Sequence, residues 1–187
     1  QDTYGFTTDL GYIRLYAGSL SKEFVNFWEV PNLLLQKFPA EEFTATTKLT
    51  FTAKQDGEQA GMIVMGWDYS YFRKAGDKFI LQQVVCKDAE QQHPEQVKEL
   101  ASFPVEYLKM PGVADNEWKT VYLRVKVAKG AVCTFAYSLD GKKYTAAGEP
   151  FTARQGKWIG AKVGLFCVTP NDGNRGWADV DWFRVTK

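Results

Sequence analysis

A chain of 187 residues, 45% of them hydrophobic, can bury a core without disulfide or metal staples, and its length fits one domain. Its net charge of +1 gives no electrostatic reason to expect nucleic acid or an anionic membrane as partner. No run of about 18 apolar residues is present to insert in a bilayer.

Taken in chain order, the repeating signal has period two. GYIRLY (11–16) sets Ile13 and Leu15 against Tyr12, Arg14 and Tyr16. NLLLQKF (32–38) and the Thr- and Phe-rich FTATTKLTFTA (43–53) follow, and AGMIVMGWDYSYF (60–72) reads as one further strand. KFILQQVVCK (78–87) leads to the ambiguous KDAEQQHPEQVKELASF (87–103), where Pro94 could open a helix. Because both flanks are β, the preferred reading is a hairpin loop and a returning strand. VYLRVKV (121–127), CTFAYSL (133–139) and residues 143–146 form a meander, with turns at Gly130 and at Asp140-Gly141, where glycine accepts positive φ. AKVGLFCV (161–168), the turn NDGNRG (171–176) and WADVDWFRV (177–185) complete the chain. Short strands punctuated by turns predict an all-β sandwich or barrel.

The common catalytic kits are missing. One histidine, His93 beside Pro94 in a polar loop, supplies no placed imidazole for a triad, and no glycine-rich phosphate cradle or zincin spacing occurs. Cys86, Cys133 and Cys167 are far apart in apolar stretches and read as buried small hydrophobes, which leaves reducing and oxidising compartments both open. Glycoside hydrolysis needs two acids across a sugar. Glu41-Glu42 and the pair Asp56 and Glu58 read as solvated turns, while Asp179 and Asp181, two apart on one strand face, are too close to flank a sugar. With Asp172 and Asn171 those last two acids could hold a structural calcium, the one ion the sequence suggests; NDGN is also a good turn in its own right.

Aromatic residues, 15% of the chain, are the other handle. Trp67, Tyr69 and Tyr71 on one side of a regular strand could stack on sugar rings, or could be core, since Ile63 and Met65 share that side. The polar faces Tyr12/Arg14/Tyr16 and Tyr122/Arg124/Lys126 are better platform or interface candidates because their opposite faces are cleanly apolar. Trp28, Trp158 and Trp177 stand beside turns, exposed or plugging one end of the sandwich.

LLLQKFPAEEFTATTKLTF, GEQAGMIVMGWDYSY, YLRV, YSLDGKKY…GEPF, VGLF and ADVDWFRV, in this order, resemble the C-terminal β-sandwich of family 43 glycoside hydrolases, the β-xylosidase and α-arabinofuranosidase group, from about Gly11 to the end. The resemblance implies an all-β, two-sheet antiparallel jelly-roll sandwich, concanavalin A-like, that follows a five-bladed catalytic propeller, packs on it and can help shape the mouth of its pocket. The propeller's acid and base have no counterparts here, so no catalytic residue is carried over. The expected role is a non-catalytic accessory domain of a xylan- or arabinan-degrading hydrolase, with a free-standing carbohydrate-binding module as the alternative and oligosaccharide as a second partner. A periplasmic or extracellular location is slightly favoured. Sandwich-fold endoglycanases carry a Glu-x-Asp-x-x-Glu run, which is absent here. The start at Gln1 suggests a processed or excised piece. The tryptophan-rich strand usual before GYIRL is replaced by QDTYGFTTDL, which puts one sheet edge in doubt, and LSKEFVNFWEVPN (20–32) is an insert without a place in the pattern.

Overall fold

The computed structural model describes residues 4–7, 11–30, 33–66, 69–75, 79–103, 119–155 and 160–187. These residues form fifteen strands and two short 3₁₀ turns. One sheet, sheet A, takes the order β1 (Tyr4–Thr7), β2 (Tyr12–Tyr16), β15 (Trp177–Thr186), β5 (Phe43–Thr52), β10 (Thr120–Ala128), β11 (Val132–Ser138), β12 (Thr145–Ala146), with β13 (Phe151–Thr152) also on β11. Sheet B runs β3 (Gly18–Ser19), β14 (Lys162–Thr169), β6 (Gln59–Met65), β7 (Tyr69–Ala75), β8 (Phe79–Cys86), β9 (Gln96–Phe103), and β4 (Leu33–Lys37) also pairs with β14. All pairings are antiparallel except the two-residue contact of β3 with β14. The strand β1 supplies the edge that the sequence left in doubt, pairing Tyr4–Thr7 with β2. Segment 87–103 is the hairpin: a 3₁₀ turn at Ala89–Gln91, then β9 returning along β8.

The two sheets meet over a core that alternation dictates. On β10 the odd positions Val121, Leu123, Val125 and Val127 are buried, as are Phe43, Ala45, Leu49 and Phe51 on β5. They pack with Ala60, Met62 and Val64 of β6 and with Val163, Leu165 and Cys167 of β14. All three cysteines are buried, and none of them forms a disulfide.

The other face of sheet B is buried as well. Residues 20–30, the insert without a place in the sequence pattern, cross it as a strap carrying a 3₁₀ turn at Phe27–Glu29. Phe27 is fully buried among Ile63, Met65, Val84, Phe166 and Val168, edge-on to Phe166 at 5.0 Å and to Phe24 at 5.6 Å. Buried Asn26 fastens the strap: its amide donates to the carbonyls of Ala89 and His93, each at 2.9 Å, and its oxygen accepts from Trp28 N at 2.9 Å.

Two local readings need correction. The stretch 60–72 is not one regular strand: β6 ends at Met65, and β7 returns antiparallel from Tyr69, pairing Tyr69 with Met65 and Tyr71 with Ile63. Apolar residues at successive positions hid the break, because a strand buried on both faces has no polar alternation to interrupt. Glu58, read as solvated, is fully buried; its carboxylate accepts from the backbone N–H groups of Lys54 (2.6 Å), Gln55 (3.2 Å) and Gly176 (2.7 Å). Glycine is required at 176, where a Cβ would stand 2.5 Å from the Glu58 carboxylate.

Candidate functional site: the outer face of sheet A

The outer face of sheet B lies under its strap, and most of the sequence candidates assemble on the outer face of sheet A. Alternation on β2 aims Tyr12, Arg14 and Tyr16 outward, opposite buried Leu15; β10 does the same with Tyr122 and Arg124. Pairing of β15 with β2 sets Trp177 beside Tyr16 and Asp179 beside Arg14. The Arg14 guanidinium donates Nε to Asp179 Oδ1 at 2.7 Å and Nη2 to Oδ2 at 3.0 Å, a bidentate clamp only 25% and 18% exposed on its two sides. The same guanidinium lies 4.7 Å from the Trp177 ring centroid and 5.6 Å from that of Tyr12, whose hydroxyl accepts from Nη2 at 3.2 Å. The hydrogen bond that Arg14 donates to Asp179 outweighs partial burial and raises the Arg14 pKa, so the guanidinium stays charged at any ordinary pH.

Trp182 and Arg184 join this face although simple alternation in WADVDWFRV puts them inside. Between Val180 and Trp182 the register of β15 against β5 slips at a bulge on Asp181. Before it Ala178 and Val180 face the core; after it Phe183 and Val185 do, so Trp182 and Arg184 emerge outside. Buried Thr47 holds the bulge, its hydroxyl donating to the Trp182 carbonyl at 2.8 Å. The sequence signal was present in the apolar positions 178, 180, 183 and 185, whose spacing jumps from two to three.

The Asp140-Gly141 loop folds over the far end of the same face. Ser138 and the backbone N–H groups of Lys142 and Lys143 all donate to Asp140 Oδ1, and these bonds hold the Asp140 carboxyl down at about 2. Gly141, at φ +73°, lies against the Tyr122 ring; a Cβ there would come within 2.7 Å of it. Tyr122 also meets Trp182 with centroids 6.1 Å apart. Arg124 stacks on Tyr144 at 3.5 Å and donates Nε to Thr46 Oγ1 at 3.0 Å, while Arg184 covers Trp182 at 4.3 Å. The face is thus a half-buried mosaic of rings and cations. Its capacity is recognition of a ring-bearing or hydroxylated surface.

Two concavities border it. A cleft of about 470 Å³ lies over β2, β15 and β5, with Trp177, Asp179 and Asp181 in its wall. Lys48 Nζ reaches Asp181 Oδ2 at 3.1 Å, and that hydrogen bond raises the lysine pKa. A more apolar groove of about 660 Å³ opens between the sheet edges, lined by Ile13, Leu34, Val163, Leu165 and Phe183 among others.

The remaining candidates fall elsewhere. Trp67 and Trp158 lie outside the described residues, and Tyr69 and Tyr71 belong to sheet B by their register on β7. Trp28 is part of the strap. Of the acids considered for calcium, Asp179 is clamped by Arg14, Asp181 pairs with Lys48 and Asp172 is exposed in the loop before β15. Among the described residues no three His, Cys, Asp or Glu side chains are placed to hold a metal ion. Nor, among them, is any helix long and apolar enough to cross a membrane.

A two-sheet sandwich in this order is the architecture that the motif order implied, and the comparison that decides its family covers nearly the whole chain. The family model described as "Beta xylosidase C-terminal Concanavalin A-like domain" matches residues 1–186. The chain belongs to that family. Members are C-terminal domains of beta xylosidases by that description. A 49-residue stretch is 43% identical to a beta-xylosidase of Formosa agariphila, covering 26% of this chain and 8% of that protein. The fold superposes on a bifunctional GH43-CE protein of Bacteroides eggerthii with TM-score 0.74 at 19% identity, over 98% of this chain and 23% of that one. It superposes on the GH43 protein BlXynB of Bacillus licheniformis with TM-score 0.67 at 22% identity, over 98% and 34%. The chain therefore spans well under half the length of these relatives, and the superpositions speak for the fold.

Proposed function

We propose that this chain is a non-catalytic accessory domain of a xylan- or arabinan-degrading glycoside hydrolase, packing on the catalytic domain and helping to bound its substrate pocket. The observation that carries the reading is the apolar groove between β2/β15 and β4/β14. Side chains that belong to the inter-sheet core, Val163 and Leu165, line its floor, and Leu34 at its rim is 45% exposed. An open edge of this kind is what a domain shows where a partner surface completes it. The family description and the small share of each relative that the chain covers support the same reading.

The test is to produce this chain and the remainder of its hydrolase as separate polypeptides and to measure their association by titration calorimetry. Association is expected, with Leu34→Asp weakening it at least tenfold while leaving the melting temperature of this chain unchanged. Absence of association at tens of micromolar, or indifference to Leu34→Asp, refutes the groove as the interface.

A second reading, glycan binding by the outer face of sheet A, is favoured by one specific observation: Tyr12, Tyr16, Trp177, Tyr122, Trp182 and Tyr144 come from four elements of the chain to one surface. Rings of this kind stack on sugars, and the flanking Arg and Tyr side chains can bond sugar hydroxyls. Saturable binding of xylo-oligosaccharides to the isolated chain supports it, and silence counts against it.

A further inference from the structure

We propose that the cleft at the Trp177 end of sheet A is a subsite for an acidic sugar, a uronic acid residue carried on a xylan-type glycan. The inference rests on the glycan-binding reading above and adds the ligand's charge and place. Among the described residues the cleft's wall holds the cationic side chains Arg14, Lys48, Lys54 and Lys119 and the carboxylates Asp179 and Asp181. Arg14 and Lys48 are each matched to one of those carboxylates, which leaves the charge of Lys54 to the cleft.

The two carboxylates do not repel an incoming anion as bare charges would. Asp179 is clamped by Arg14 through two hydrogen bonds, and Asp181 is held by Lys48. Lys54 differs from both partners. It is exposed, has no carboxylate partner among the described residues, and carries its ammonium 5.3 Å from the Trp177 ring centroid. A cation poised beside an indole offers a sugar ring a surface to lie against and its carboxylate a counter-charge in one place. Thr50 and Thr52 line the same cleft with hydroxyls suited to the sugar's own, and about 470 Å³ accommodates a saccharide unit.

Buried Glu58 is the positioning residue. One carboxylate oxygen accepts from Lys54 N and Gln55 N, and the other accepts from Gly176 N, the residue before Trp177. The lysine and the indole are thereby tied through one rigid anchor, although 123 positions separate them in sequence (54 to 177). Such an anchor fixes the spacing of the two groups before any ligand arrives.

The test compares two probes on the isolated chain by titration calorimetry at low salt: xylotetraose, and xylotetraose bearing one glucuronic acid branch. The acidic probe is expected to bind about fivefold to tenfold more tightly, with the advantage shrinking as sodium chloride rises. Lys54→Ala should remove most of that advantage with the melting temperature unchanged, and Lys54→Arg should retain it. Equal affinity for the two probes overturns the acidic subsite and leaves the glycan-binding reading standing. An acidic preference that survives Lys54→Ala overturns the placement. Failure of both probes to bind overturns the inference together with the reading beneath it.

Discussion

Replacing Phe27 by alanine tests whether the strap is part of the cooperative core or merely lies on it. The ring is fully buried, with edge-to-face neighbours Phe166 at 5.0 Å and Phe24 at 5.6 Å and with Ile63, Val84 and Val168 around it. Buried Phe→Ala substitutions cost about 3–5 kcal/mol, because transfer energy is lost and a cavity is left. The two ring pairs place this site toward the upper part of that range. For a chain of this size, each kcal/mol moves the melting temperature by about 2–4 °C, so the expected drop is roughly 6–20 °C. Urea titration followed by tryptophan fluorescence, paired with scanning calorimetry, reads both quantities. Phe27→Leu, which keeps most of the apolar volume, should lose far less. A loss under about 1 kcal/mol for the alanine variant refutes the argument. So does an unchanged transition accompanied by fast amide exchange confined to residues 24–30, because the strap would then lift away without disturbing the sandwich.

Three further outcomes follow from the same coordinates. Glu58→Ala removes the acceptor of three buried or half-buried N–H groups and should cost about 3–5 kcal/mol in urea titration, with Glu58→Gln milder because one oxygen remains; equal, small losses would show that the anchor is dispensable. Burial pushes the Cys133 thiol up to about 12 and the Cys167 thiol well above its ordinary value, so a disulfide reagent at mildly alkaline pH should label neither in the native chain and all three cysteines in guanidinium; native labelling contradicts the packing. The Asp140 pKa is lowered by its hydrogen bonds from 3.8 to about 2, so its contribution is present above the unfolded value and is lost as pH falls toward 2. The melting-temperature difference between wild type and Asp140→Asn should therefore narrow across that acid window, and a pH-independent difference would refute the assignment.

Alternation made sheet A legible before any coordinates. Val121, Leu123, Val125 and Val127 face inward on β10, and Tyr12, Arg14 and Tyr16 face outward on β2, as their polarity requires. Sheet B was harder to read for the same physical reason. AGMIVM on β6 and VGLFCV on β14 are buried at successive positions, so no alternation marked where a strand turned back. Those continuous apolar runs were nevertheless a signal that the sheet's second face needed a cover. Phe24, Phe27 and Trp28 provide it without any helical or strand period, which is why the insert found no place in the pattern. The site was partly legible: Arg14, Trp177 and Asp179 were singled out one by one, but the clamp between them spans 165 positions and depends on the β2–β15 register. Trp182 and Arg184 reach the outer face only because one inserted residue, Asp181, shifts the alternation of WADVDWFRV. Glu58 was misread because a carboxylate satisfied entirely by backbone N–H groups has no charged partner to announce it in a sequence.

The strap has a practical consequence for handling this protein. Chain on either side of it, β3 and β4, is hydrogen-bonded to the same strand, β14, so the cover is a short loop closed on its own support, and a cut within that loop is what would let it peel. Once peeled, it leaves Ile63, Met65, Val84, Phe166 and Val168 as one greasy strip on a broad pleated surface. Clumping of a chain nicked between residues 20 and 30 should then begin face to face through that strip, so keeping that loop uncut matters for shelf life.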